Sequence, residues 1–241
     1  IINAAAYTEE DSAEENINLA YSINSESVGQ IAKIAHKLDI PLIHYSSDYV
    51  FDGTEQKPKS EKSKVNPLSI YGKSKLEGEK NIIKSSCKFV ILRTSWVYSS
   101  RRNNFLKTIL KLSDEKKSLR IINDQISTPT SARFLSNITH MIIKDIFTNK
   151  NFEYGIYNCV PEGHATWFEF ANYIVQWKLR NKIKNTVKLK DIIPIKTNEY
   201  QSLAQRPLDS RLCNAKIKKI LNKDFPAWNV YTEEVLGEIY G

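Results

Sequence analysis

Short apolar runs alternate with segments of helical period through the first two thirds of this chain, and that alternation restricts the fold more than any other feature. Residues 42–45 (Leu-Ile-His-Tyr) carry no helical period and lie between Pro41 and polar Ser46, as suits a buried parallel strand. Residues 1–6 form an earlier strand that ends in small side chains, and 88–94 and 154–160 form later ones. Between the first two, residues 12–38 place Ile17, Ala20, Tyr21, Val28, Ile31, Ala32 and Ala35 at largely helical spacing. Strands in turn with helices argue for a parallel α/β sheet.

Chemistry enters at the carboxyl end of the 42–45 strand, where open α/β sheets bind ligands. Ser46, Ser47 and Asp48 fall there. Asn66-Pro67 then reads as a helix start, with Asn as cap and Pro in the first turn, for a helix running to about residue 85. That helix sets Tyr71 and Lys75 one turn apart on one face. Gly72 and Gly78 lie inside it at a cost of roughly 1 kcal/mol each, which implies close approach of another backbone or a ligand. A Tyr-x-x-x-Lys pair arises by chance about once in a chain of this composition, so its placement carries the argument. A phenol can protonate an alkoxide, a nearby ammonium favours the phenolate, and a serine hydroxyl can hold a carbonyl oxygen. Ser47, Tyr71 and Lys75 would thus assist hydride transfer from a nicotinamide cofactor. The alternative is a surface helix with a half-buried tyrosine.

Four longer motifs carry a family resemblance: Asn3-Ala-Ala-Ala-Tyr-Thr8, Tyr45-Ser-Ser-Asp-Tyr-Val-Phe-Asp-Gly53, Asn66-Pro-Leu-Ser-Ile-Tyr-Gly-Lys-Ser-Lys75 and Leu92-Arg-Thr-Ser-Trp-Val-Tyr98. Together they resemble the dTDP-4-dehydrorhamnose reductases, which are extended short-chain dehydrogenases/reductases. The likeness continues in order through Asn103-Asn-Phe105, Asn123-Asp-Gln-Ile-Ser-Thr-Pro-Thr130, Gly155-Ile-Tyr157, Thr166-Trp167, Arg206-Pro207 and Pro226-Ala-Trp228.

The resemblance implies a doubly wound, Rossmann-like parallel sheet that is incomplete at its N-terminus, with a smaller C-terminal substrate lobe. The dinucleotide-binding part would cover 1–160, with about 100–130 leaning toward the substrate lobe, and 161–241 would form that lobe. Reduction of the 4-keto group of dTDP-4-dehydro-6-deoxy-L-mannose to dTDP-L-rhamnose would follow, with NADPH or NADH as cofactor. Ser47, Tyr71 and Lys75 would be catalytic. Ala5, Ala6, Thr8 and Tyr45, together with Tyr71 and Lys75, would face the cofactor. Asp48, Tyr49 and Trp96, with Ser47, would face the sugar, and Asn104 and Arg206 the diphosphate. Some family members are associated with magnesium at a subunit contact, whose ligands do not map onto this chain, and a homodimer stays open. Two alternatives remain: another sugar-nucleotide epimerase or dehydratase of this fold, or a non-catalytic regulatory subunit resembling that of methionine adenosyltransferase.

Ser47 stands where the family more often has Thr, and Ser99 and Ser127 stand where glycines are common. The chain opens on Ile1, its one methionine is Met141, and its eight glycines nowhere form a Gly-rich phosphate loop. In the resembling family roughly 60 residues bearing that loop come before this point, so dinucleotide binding is expected to need them.

Cys87, Cys159 and Cys213 have no pairing or metal spacing, which suggests reduced thiols and a cytoplasmic setting. No apolar run approaches membrane-spanning length, and no secretory pattern opens the chain. The net charge of +8 is densest over 178–190, which reads as an element with one buried side and one solvated basic side. Attraction of an anionic sugar nucleotide or a nucleic acid is the functional alternative, with the family resemblance against nucleic acid.

Overall fold

The computed structural model describes residues 1–149 and 151–241. In chain order its regular elements are β1 (Ile2–Asn3), α1 (Glu10–Glu15), α2 (Ile17–Tyr21), α3 (Ser27–Lys37), β2 (Leu42–Ser47), α4 (Ile70–Lys84), β3 (Phe89–Thr94), β4 (Val97–Tyr98) and α5 (Phe105–Glu115). There follow β5 (Leu119–Ile122), β6 (Ile126–Ser127), β7 (Thr130–Ser131), α6 (Ala132–Thr148), β8 (Gly155–Asn158), β9 (Ala165–Thr166), α7 (Trp167–Arg180), β10 (Ile192–Ile195), α8 (Ala215–Leu221) and α9 (Trp228–Tyr240). The chain divides into two compact units. One comprises Ile1–Ser95, Thr139–Cys159 and Ser202–Lys223; the other comprises Trp96–Ile138, Val160–Gln201 and Asp224–Gly241.

The first unit holds a four-stranded sheet in the order β1-β2-β3-β8, parallel throughout. Leu42, Val90, Ile91 and Leu92 are wholly buried in it, as expected of strands covered on both faces. Val28, Ala32 and Ala35 of α3 and Ile82 of α4 pack with Leu42, Ile91 and Cys87. Full burial of an aliphatic side chain such as Ile82 or Ile91 contributes about 1.5–3 kcal/mol. The parallel α/β class read from the sequence is the class observed.

Three local expectations are corrected. The first strand is only Ile2–Asn3, because Asn3 turns the chain: its Oδ1 accepts from the Ala5 amide at 3.2 Å. Residues 12–38 are not one helix but α1, α2, a π-helical stretch Ser22–Glu26 and α3. Within the π stretch Asn24 is buried, accepts from the Tyr7 amide at 2.9 Å, and donates to the Tyr7 carbonyl and to Ser74 Oγ of α4, each at 3.0 Å. A π turn at this place accords with the use of such bulges to aim a side chain. Thirdly, α4 does not begin at Asn66-Pro67. Ser69 is its N-cap, accepting from the Gly72 amide at 3.1 Å, and Glu14 of α1 accepts from the Ile70 amide at 2.8 Å. Two carboxyl or hydroxyl acceptors on the first-turn amides outweigh the Asn-Pro signal.

The glycines of α4 do what their positions implied. A Cβ on Gly72 would overlap the carbonyl oxygen of Tyr49, and one on Gly78 that of Asn24. The helix therefore lies against two stretches of backbone.

The second unit is built round α5, α7 and α9, with Leu106, Ile109, Phe170, Ala171, Ile174, Val175 and Leu236 almost wholly buried together. Short parallel pairs β5–β10 and β4–β7 and the antiparallel pair β6–β9 edge it. Thr166 and Glu169 form a capping box at the start of α7. The basic stretch 178–190 departs from the expected pattern. Lys178 is fully buried and donates to Asp114 at 2.7 Å and Ser113 at 2.9 Å, whereas Leu179 and Leu189 are exposed and Val187 is buried. The stretch leaves helical geometry after Arg180, so its apolar residues no longer share one side.

Candidate active site

β2 delivers Ser47 to its carboxyl end, where the chain turns into the short 3-10 helix Asp48–Val50. Ser47 Oγ accepts from the Tyr49 amide at 3.1 Å, which caps that turn, and donates to Asp48 Oδ1 at 3.2 Å. The Ser47 hydroxyl also lies near enough to the Tyr71 phenol to draw its pKa down. The Tyr49 ring meets that of Tyr71 edge-on, with centroids 5.9 Å apart at 79°. Because Gly72 admits the Tyr49 carbonyl, the first turn of α4 can close on the 3-10 helix and bring Tyr71 to Ser47.

Lys75 lies one turn further along α4, 2% exposed, and its Nζ donates to the Tyr45 carbonyl at 2.7 Å. Burial brings its pKa down to about 8, against an opposing pull from the Glu79 carboxylate. Tyr45 itself is half-buried, and its hydroxyl bonds Thr139 of α6 at 2.6 Å. Buried His44 takes a hydrogen bond on Nδ1 from the Asn3 amide at 3.1 Å, assigning the ring proton to Nε2. Burial, and next the Lys75 charge, keeps this imidazole neutral.

The sequence reading has Lys75 lowering the Tyr71 pKa; the structure moves it the other way. Burial raises the phenol well above its ordinary value, the Glu10 and Asp48 carboxylates push in the same direction, and the Ser47 hydroxyl opposes them. Tyr71 keeps part of its surface open to solvent, which tempers that push. The direction still leaves the phenol protonated at neutral pH, the form a general acid needs.

Glu10 and Asp11 were not singled out from the sequence, and nothing in their local pattern marks them. They meet Arg206, which donates to Glu10 at 2.9 Å and to Asp11 at 3.1 Å. Asp11 also accepts from the Ala204 amide at 2.9 Å. The Glu10 carboxylate and the Tyr49 phenol act on each other electrostatically, and the Tyr49 ring meets that of Tyr71, so Arg206, Glu10, Tyr49 and Tyr71 are neighbours. The Arg206 guanidinium thus has two carboxylate partners. Ala5 and Thr8 are exposed and Ala6 half-exposed just beyond β1. These small side chains leave open surface at that strand end, and with the Lys75 donor they fit a nicotinamide-ribose portion.

Of the other expected substrate residues, Trp96 and Asn104 belong to the second unit. Trp96 holds a left-handed backbone with φ 44°, uncommon for a bulky side chain and typical of functional sites. Its ring stacks on Trp167 with centroids 3.5 Å apart and planes 10° from parallel, and Trp167 Nε1 donates to Gln125 at 3.1 Å. Asn104 caps α5, accepting from the Lys107 amide at 3.2 Å and donating to the Ser99 carbonyl at 2.8 Å. Neither Ser99 nor Ser127 has positive φ, so the serines at these family glycine positions carry no left-handed strain. Among the described residues no group of three or more His, Cys, Asp or Glu side chains could hold a metal ion, and no helix is long and apolar enough to cross a membrane.

A parallel α/β sheet bearing a Ser–Tyr–Lys set at one strand end is the arrangement of the extended short-chain dehydrogenase/reductase fold. The RmlD substrate binding domain family matches residues 1–240. A dTDP-4-dehydrorhamnose reductase of Salmonella typhimurium is 38% identical over 240 residues, covering 100% of this chain and 79% of the relative. The crystal structure of such a reductase from Clostridium acetobutylicum superposes with a TM-score of 0.90 at 33% identity, covering 100% of this chain and 80% of that one. A Bacillus anthracis reductase solved in complex with NADP gives a TM-score of 0.87 at 33% identity, covering 99% of this chain and 80% of that one. The chain belongs to the dTDP-4-dehydrorhamnose reductase family.

Proposed function

We propose that the protein reduces the 4-keto group of dTDP-4-dehydro-6-deoxy-L-mannose to give dTDP-L-rhamnose, using NADPH or NADH. The observation that carries this reading is the packing of the first turn of α4 on the 3-10 turn at the carboxyl end of β2, which sets Tyr71 near Ser47, with Lys75 one turn further along the same helix. A reduced nicotinamide, when bound, supplies the hydride that C4 accepts.

The chain's own groups handle the oxygen. Ser47 Oγ holds the carbonyl oxygen beside the Tyr71 hydroxyl, and Tyr71 gives its proton to that oxygen as negative charge develops there. The product is an alcohol at C4 and a phenolate at Tyr71. The Lys75 ammonium, one turn along the same helix, favours that phenolate once it forms. In the ground state the raised pKa of Tyr71 keeps the acid loaded. Asp48, Tyr49, Trp96, Asn104 and Arg206 serve the sugar nucleotide in this reading, and Ala5, Ala6, Thr8 and Tyr45 the cofactor.

The test is incubation of the intact protein with NADPH and the 4-keto sugar nucleotide, following cofactor oxidation and identifying the product by mass. Formation of the 4-hydroxy sugar nucleotide with matched NADPH loss is expected. A folded protein that oxidises no NADPH with this substrate contradicts the reading.

A further inference from the structure

Glu79 and Arg93 take no part in the chemistry above, yet they are among the most enclosed charged groups of the first unit, 1% and 3% exposed. Glu79 follows Lys75 by one turn of α4, so the two side chains lie on the same face. Arg93 projects from β3 and donates to the Glu79 carboxylate through Nε at 2.9 Å and Nη2 at 2.6 Å, a two-pronged fit that fixes both position and angle. Its guanidinium carbon also lies 5.2 Å from the centroid of the Phe51 ring, just after the 3-10 turn that holds Tyr49. An ion pair this deeply buried is weak support for stability, because removing both charges from water offsets their attraction. Its place, one turn from a buried lysine, indicates another use.

We propose that the Glu79–Arg93 pair positions Lys75: the fork fixes α4 against β3, and the Glu79 carboxylate holds the Lys75 ammonium charged against the cost of burying it. The proposal rests on the reading of Tyr71 and Lys75 as catalytic, but its first test needs no turnover. The groups around Lys75 can be followed element by element. From β2 come the neutral imidazole of His44 and the Tyr45 carbonyl that accepts the ammonium proton. From α4 come Tyr71, protonated, and Glu79, whose carboxylate favours the ammonium. From β3 comes Arg93, which acts on Lys75 by compensating Glu79. Burial and Glu79 therefore oppose each other, and the balance leaves Lys75 titrating close to neutral pH.

The two partners should then move Lys75 in opposite directions. In the intact protein, lysine side-chain NMR titration reads the Lys75 midpoint, with the signal assigned by its loss in Lys75→Met. Glu79→Gln should lower the midpoint by about one unit or more, and Arg93→Gln should raise it. A general loosening of the fold would move both toward the ordinary lysine value, and that result, or no shift in either, overturns the proposal. Each single variant leaves one buried charge without its partner and can fail to fold. The paired variant Glu79→Gln/Arg93→Gln buries no net charge and decides the matter in that event: its midpoint should still fall, and an unchanged midpoint overturns the proposal. Turnover is read separately. The alkaline limb of kcat should follow the NMR midpoint; a limb that stays fixed while the midpoint moves supports the hold of Glu79 on Lys75 and removes Lys75 from the reaction.

Discussion

Tyr71 and Lys75 are perturbed in opposite senses by the same burial, and the expected behaviour of each follows from its sign. Tyr71→Phe keeps the ring and its edge contact with Tyr49 but removes the acid. We expect kcat to fall by about 10²–10⁴, the range of general acid catalysis, with substrate affinity largely kept. Steady-state kinetics alongside substrate titration checks this, and near-normal turnover would take Tyr71 out of the mechanism. For Lys75 the folded value of about 8 lies below the ordinary lysine value of 10.5, so the unfolded chain binds more protons between those limits. Stability therefore rises with pH across that window, and below about pH 8 the folded protein carries the full cost of a buried ammonium. Lys75→Met relieves a cost of about 3 kcal/mol at pH 7 and loses one hydrogen bond to Tyr45 worth about 1 kcal/mol. A net gain of about 2 kcal/mol in urea unfolding at pH 7, fading by pH 10.5 while turnover drops, is the expected outcome. A destabilised Lys75→Met at pH 7 would show that the ammonium is better solvated than its burial indicates.

At the scale of elements, α4 joins three constraints: caps on its first-turn amides, two glycines against foreign backbone, and a buried fork to β3. Alanine favours a helix over glycine by about 1 kcal/mol, yet Gly72→Ala and Gly78→Ala should each destabilise by about 1–3 kcal/mol. The new Cβ would meet a main-chain carbonyl oxygen, which cannot swing aside as a side chain would. Thermal or urea unfolding of the two variants measures this, and a stabilised Gly78→Ala would mean the backbone at Asn24 yields easily. Much of this element was legible beforehand: the Tyr71–Lys75 spacing, and glycines inside a helix implying close approach. Its start was not, because Ser69 and Glu14 supply capping oxygens and Glu14 comes from α1, 56 residues away. Asn66-Pro67 is a valid local signal overridden by partners that sequence distance conceals. Glu79 offered one cue, its spacing of four from Lys75; Glu10 and Asp11 offered none, since their role depends on an arginine nearly two hundred residues later.

For the molecule as a whole, the order of strands and helices could be read because a fully buried parallel sheet writes itself as short apolar runs. The resemblance has about 100–130 leaning toward the second lobe; the return of Ser202–Lys223 to the first unit has no such signal, since it joins segments far apart in the chain. Nor could the fate of the basic stretch 178–190 be read: Lys178 closes into the interior on Asp114, while Arg180, Lys182, Lys184, Lys188 and Lys190 stay exposed. That exposed charge, within a net +8, would favour approach of an anionic ligand, as the proposed substrate is. Raising ionic strength well above about 0.1 M, where the screening length is about 10 Å, should raise KM severalfold with kcat little changed. A salt-independent KM would reduce the charge to a solvated surface. The central claim, reduction of a 4-keto sugar nucleotide by proton donation from Tyr71, is tested most directly by one comparison: single-turnover NADPH oxidation with dTDP-4-dehydro-6-deoxy-L-mannose in the intact protein and in Tyr71→Phe. The account requires stoichiometric conversion to the 4-hydroxy product in the first and a chemical step slowed by about 10²-fold or more in the second; equal rates in the two, or no conversion by the folded intact protein, would contradict it.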